Sequence, residues 1–177
     1  MVVLRRGFYG LAVVAGLAFS TTATWAGGSV AAGPYDRPGI WTGLYGGVNL
    51  GHVDADHDDG IAGGVQVGYN WRSQQFIYGV EGDLSITNMD SIDWLGSVRG
   101  RLGYLLQPNL LLYGTAGVGV VNAVNTDTGF VWGLGVEGKV ADGMTARLEY
   151  LSFDNNDNHH GDNINVIRAG LNFKLGR

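Results

Sequence analysis

Residues 94–106 read WLGSVRGRLGYLL, and their alternation decides the fold. Trp94, Gly96, Val98, Gly100, Leu102, Tyr104 and Leu106 are apolar or tiny, and Ser97, Arg99, Arg101 and Gly103 fall between them. A period of two is the mark of a strand with two unlike faces. The polar face carries two arginines flanked by apolar residues. A soluble antiparallel strand would turn such arginines to water. A transmembrane barrel strand would turn them to a polar lumen and give its apolar face to lipid.

Outward from this stretch the same pattern repeats. Alternating segments run over 41–53, 61–71, 76–86, 110–121, 130–140, 145–153 and 163–175. With 94–106 they make eight strands. The connections 72–75, 107–109 and 141–144 are short, whereas 54–60, 87–93, 122–129 and 154–162 are longer and polar. An even number of strands of about ten residues, with short turns at one end and longer loops at the other, suits an outer-membrane barrel. The fold class expected is therefore all-β, an eight-stranded antiparallel up-and-down transmembrane β-barrel over residues 41–177, with both termini periplasmic.

Charge placement chooses the inner face. Glu81, Asp83, Arg99, Arg101, Glu137, Lys139, Arg147, Glu149, Arg168 and Lys174 all lie on the polar parity of their strands. In a barrel this narrow they meet and pair as a lumen charge network. Aromatic residues collect near strand ends. Trp41, Trp71, Phe76, Tyr104 and Phe173 lie at the short-turn end, and Trp94, Phe130, Trp132 and Tyr150 at the other, as two interfacial girdles. A soluble lipocalin-like barrel is the competing architecture. It would place the charges in water and overfill the interior with Trp, Tyr, Leu and Val.

The chain has 177 residues, no cysteine and 31 glycines. Residues 1–26 read as a signal peptide: Arg5 and Arg6 precede an apolar run too short to span a bilayer, and Ala26 ends a small-residue cleavage pattern. Removing them moves the net charge from −5 to −7, which excludes nucleic acid as a natural partner. Residues 27–40 carry glycine and proline without periodicity and read as a periplasmic lead-in.

Taken in order, WTGLYGGVNLG (41–51), GGVQVGYNW (63–71), YGVEGDLS (78–85), WLGSVRGRLGY (94–104), LLYGTAGVGV (111–120), GLGVEGKV (133–140), ARLEYLSFD (146–154) and VIRAGLNFKL (166–175) resemble the small porin-family outer-membrane β-barrel surface proteins. Their fold is similar to the transmembrane barrel of outer membrane protein A. The resemblance implies a Gram-negative outer-membrane location, contact with membrane lipid and lipopolysaccharide, and assembly by the barrel-insertion machinery. It also implies roles that are structural, adhesive, pore-forming or haem-binding. One departure is the carboxyl end: Leu175 stands where the family carries a terminal aromatic residue, and Gly176 and Arg177 follow.

The candidate sites divide as follows. The lumen charges are either an ion path or a paired plug, and the plug is expected, because buried ions need partners. The long loops concentrate Asp54, Asp56, Asp58, Asp59, Asp90, Asp93, Asp127, Asp154, Asp157 and Asp162. Residues 54–60 look partly like a calcium loop, but the glycine is one position late and Val65 replaces the bidentate glutamate. Asp54, Asp56, Asp58, His159 and His160 are thus weak metal candidates only, and no cofactor is expected. His52, His57, His159 and His160 read as solvated tip residues. Gly133 to Gly138 matches GxGxxG inside a strand, where it cannot open a helix on a phosphate. Ser152 and the loop histidines show no nucleophile–base spacing, so no enzyme is expected. The function expected is an envelope-integrity protein that presents surface loops. A narrow porin or a surface binding protein (adhesin, haem or divalent cation) is the alternative.

Overall fold

The computed structural model describes residues 39–55, 58–88, 93–122, 126–154 and 164–176. Eight strands follow one another: β1 (Gly43–Ala55), β2 (Asp58–Ser73), β3 (Phe76–Thr87), β4 (Trp94–Gln107), β5 (Leu110–Asn122), β6 (Thr126–Ala141), β7 (Met144–Asp154) and β8 (Ile164–Lys174). Each pairs antiparallel with the next, and β8 returns to β1 to close the barrel. Closure leaves no sheet edge unpaired, the condition for spanning a bilayer with strands.

The alternation fixes which face turns inward. Along β4, Val98, Leu102 and Tyr104 are exposed, whereas Ser97, Arg99 and Arg101 are buried. Leu44, Val48, Val65, Val80, Leu84, Val118, Leu134, Leu148 and Ile167 continue the outward apolar belt around the barrel. A belt of this extent is unstable against water and stable against lipid. The lipocalin-like architecture is therefore overturned: charges fill the interior and the apolar faces point out.

The described residues of two expected long loops, 54–60 and 122–129, are strand. The β1–β2 ladder runs out to Ala55 opposite Asp58, and the β5–β6 ladder to Asn122 opposite Thr126. Polar composition concealed strand continuation, because period-two pairing needs only backbone partners and an inward anchor. Val53 supplies that anchor in the first hairpin, fully buried at the barrel mouth. Residues 89–92 and 155–163 lie outside the described residues.

The interior has three layers. At the loop end Val53, Ala62, Leu95, Val131, Leu151, Phe153 and Val166 form an apolar cluster. At the turn end Trp41, Ile77, Leu105, Leu111 and Tyr113 form another. The charged residues lie between. Inward glycines make room for the largest side chains. A Cβ at Gly68 would lie 2.8 Å from Cε1 of the Tyr45 ring and closer still to its Cζ, and one at Gly135 would lie 2.9 Å from Cε1 of the Tyr113 ring and closer still to its Cζ. Only a residue without a side chain fits beneath either tyrosine.

Candidate functional site

The charged middle layer is built from five strands, β3, β4, β6, β7 and β8. Arg99 is 1 % exposed and lies at the centre. Its Nη2 donates to Glu81 Oε1 at 2.7 Å and to Asp83 Oδ1 at 2.6 Å, and its Nη1 to Glu149 Oε1 at 3.3 Å. Arg147 Nη1 donates to Glu81 Oε2 at 2.5 Å. Arg168 Nε donates to Glu149 Oε2 at 2.7 Å, and its Nη1 lies 3.2 Å from Asp83 Oδ2. Arg101 pairs with Glu137 and stacks on Tyr113, 4.0 Å from guanidinium carbon to ring centroid. The four arginines Arg99, Arg101, Arg147 and Arg168 face the four carboxylates Glu81, Asp83, Glu137 and Glu149, so the layer is formally neutral.

Neutral side chains carry the network around the wall. Tyr45 Oη donates to Glu81 Oε2 at 2.6 Å, and Tyr113 Oη to Glu149 Oε1 at 3.2 Å. Ser85 donates to Asn49, Asn49 to Gln66, Gln66 to Asn172 and Asn172 to Glu137, with donor–acceptor distances of 3.2, 2.6, 2.8 and 2.9 Å. Thr145 adds a bond to Glu137. Ser97 Oγ donates to Asp83 Oδ1 at 2.7 Å, so every carboxylate in the layer is held by at least one guanidinium and one hydroxyl or amide. Such satisfaction is what makes a buried ion group tolerable, because the low dielectric that strengthens each pair also penalises each unpaired charge. A cavity of about 10 Å³ lies between this layer and the loop-end apolar cluster, bordered by Asn49, Asp83, Ser85 and Arg168 below and Leu95 and Phe153 above. It has room for a single water.

Eight of the ten expected lumen charges are brought together here. Lys139 and Lys174 are not. Lys139 is exposed on the rim, 2.7 Å from the turn residue Asp142, whose carboxyl it holds below the usual aspartate range by hydrogen bond and charge. Lys174 is half-buried and donates to the Gly39 carbonyl at 3.3 Å. Both stand at strand ends, where the long lysine stem carries the ammonium away from the lumen to the polar edge.

Of the girdle residues, Trp71, Phe76, Tyr104 and Phe173 are exposed outward at the turn end. Phe130, Trp132 and Tyr150 are exposed outward at the loop end, with Trp94 half-buried beside them. Phe76 meets Tyr104 edge-on at 5.3 Å and Trp132 meets Tyr150 at 5.9 Å. Trp41 is the correction. It is 3 % exposed and points into the lumen, because β1 starts at Gly43 and the preceding turn folds under the barrel.

The weak metal candidates are not drawn into a site. Asp54 stands opposite Asp59 in a regular ladder and Asp58 opposite Ala55, which is hairpin and not calcium-loop geometry. His52 is exposed, 3.9 Å from Asp59. Asp56, His57, His159 and His160 lie outside the described residues. Among the described residues no three His, Cys, Asp or Glu side chains converge to hold a metal.

Sequence reasoning missed the two apolar layers. Ile77, Leu95, Leu105, Leu111, Val131, Leu151 and Val166 occupy the same parity as the charges, but nearer the strand ends. The signal was present: on β4, Leu95 and Leu105 bracket Ser97, Arg99 and Arg101 at even spacing.

Comparison with known proteins agrees with this geometry. The 22 kDa outer membrane protein of Rhizobium leguminosarum bv. viciae is 36% identical over 173 residues, covering 80% of this chain and 82% of that protein. The 31 kDa outer-membrane immunogenic protein of Brucella melitensis biotype 1 is 29% identical over 201 residues, covering 76% and 84%. The crystal structure of Neisserial surface protein A superposes with a TM-score of 0.56 at 18% identity, over 76% of this chain and 98% of that one. That likeness carries the fold. A family model described as the outer membrane protein beta-barrel domain matches residues 10–174. With its closed eight-stranded barrel, outward apolar belt and ion-paired interior, the chain belongs to the outer membrane protein β-barrel domain family.

Proposed function

We propose that this outer-membrane protein is a non-conducting barrel that reinforces the envelope and holds acidic hairpins and loops at the cell surface. Its signal peptide, residues 1–26, is removed on export. The observation that carries the reading is the layering of the lumen. A neutral set of four guanidiniums and four carboxylates lies between two apolar clusters. An ion entering from either end meets an apolar layer first. It then meets charges already neutralised by partners at 2.5–3.3 Å. Displacing one partner costs several kcal/mol. The outward belt and girdles suit membrane lipid and lipopolysaccharide as the surrounding medium, and assembly would pass through the barrel-insertion machinery.

Catalysis is not part of this reading. Ser152, the nucleophile candidate, is buried in the ladder between Trp132 and Asn165. The purified, refolded protein in planar bilayers tests the proposal. Absence of discrete conductance steps is the expected result. Large, well-resolved single channels from the wild type would overturn it.

A further inference from the structure

The two residues that left their expected places, Trp41 and Lys174, belong to one unit. Residues 39–42 precede the ladder and fold as a turn closed by Thr42 N–H to the Gly39 carbonyl, at 3.3 Å. Trp41 enters the turn-end mouth and packs on Ile77, Leu105, Leu111 and Tyr113, with Ile40 beside it. Its indole Nε1 donates to the Pro108 carbonyl at 2.9 Å. Pro108 lies in the β4–β5 turn, on the far side of the barrel from β1. Lys174, at the end of β8, donates to Gly39 from the near side. The chain reaches this position through Gly43, whose φ of 106° is open to glycine and strained for other residues.

We infer that residues 39–42 are a latch, hinged at Gly43, that shuts the turn-end mouth and ties the β8–β1 seam to the opposite turn. Trp41 is the bolt and Lys174 the grip. The seam joins the two ends of the barrel sequence, so it is the one pairing that no hairpin turn enforces. A segment fastened to both sides of the mouth limits how far the seam can open. The latch also keeps water off Leu111 and Tyr113, the apolar floor beneath Arg101. Among the described residues, the hold on this segment before Gly43 consists of these few contacts, which makes it the element whose opening is separable from barrel unfolding. The inference rests on the barrel fold and is independent of whether the lumen conducts.

The native chain has no cysteine, which allows a direct test. Leu111→Cys places a thiol under the bolt, and Val131→Cys places one in the loop-end cluster. Each is exposed to a small charged methanethiosulfonate in the folded, lipid-embedded protein, with folding verified by heat-modifiable gel mobility. With the latch intact both thiols are protected. Adding Trp41→Ala is expected to raise the labelling rate of Leu111→Cys at least tenfold and leave Val131→Cys protected. Continued protection of Leu111→Cys, or equal labelling of both thiols, overturns the latch. Should Trp41→Ala not fold, Lys174→Met decides, since it removes the grip without touching the lumen. A threefold or larger rise at Leu111→Cys supports the latch, and no change overturns it.

Discussion

Arg147 and Glu81 meet at 2.5 Å although they come from β7 and β3, on opposite sides of the barrel. In the ladder Arg147 stands opposite Glu137 on the neighbouring strand. Glu137 instead pairs across the lumen with Arg101, and Arg147 reaches the far wall. The ion pairs therefore brace the barrel through its interior. That bracing resists the flattening and opening that ladder bonds alone permit.

The bracing gives the first prediction. A double-mutant cycle over Glu81→Gln and Arg147→Met is expected to return a large coupling, on the order of 1–3 kcal/mol. The same cycle over Glu137→Gln and Arg147→Met should return close to nothing. Unfolding by urea in lipid vesicles provides both free energies. Equal couplings would mean that pairing follows ladder register and not the lumen geometry.

Glu149 accepts from Arg99, Arg168 and Tyr113. Glu149→Ala takes one carboxylate from each of the guanidiniums of Arg99, Arg147 and Arg168 and leaves the layer with net positive charge. A loss of about 3–5 kcal/mol is expected. It would appear as a lower temperature at which the folded band converts on detergent gels, with conductance in planar bilayers remaining negligible.

Lys139 makes the contrasting case. Its pair with Asp142 is exposed to solvent, and exposed pairs contribute little. Lys139→Met should leave the unfolding midpoint unchanged within error. The Asp142 carboxyl, held low by Lys139, should return toward its ordinary range in this variant, as followed by NMR titration. Because the folded value is the depressed one, whatever the pair adds to stability is present above the ordinary aspartate range. It disappears as pH falls through the lowered value.

Val98 faces outward on β4 with 63% of its surface exposed. Val98→Arg puts a cation against lipid, at an expected cost of about 2–4 kcal/mol if the site lies near the bilayer midplane. Refolding yield and unfolding free energy in vesicles measure it. A barrel standing in water would accept the arginine without loss.

Gly68 lies under the Tyr45 ring. Gly68→Val must displace that tyrosine and with it the bond to Glu81. Overpacking of this kind typically costs about 1–3 kcal/mol. The same urea titration should show it, and Tyr45→Ala in the Gly68→Val background should recover part of the packing loss.

The amino-acid sequence alone determined the eight strands, their alternation, the face that turns inward and the membership of eight charges in the interior. These follow from a period of two, which side-chain order along the chain records directly: Arg99 and Arg101 on one parity, Val98 and Leu102 on the other. The tertiary structure decided what depends on distance around and along the barrel. Arg147 pairs with Glu81 and not with its ladder neighbour Glu137, because inward side chains choose among all facing walls. Lys139 and Lys174 leave the lumen, because parity says nothing about depth. Trp41 turns inward, because Gly43 takes a positive φ just before the ladder starts. Asp54 and Asp59 lie in a hairpin and not in a loop, because backbone pairing continues wherever an inward anchor such as Val53 supports it. Parity is a local property of the chain, whereas depth and cross-lumen partnership exist only once the barrel has closed.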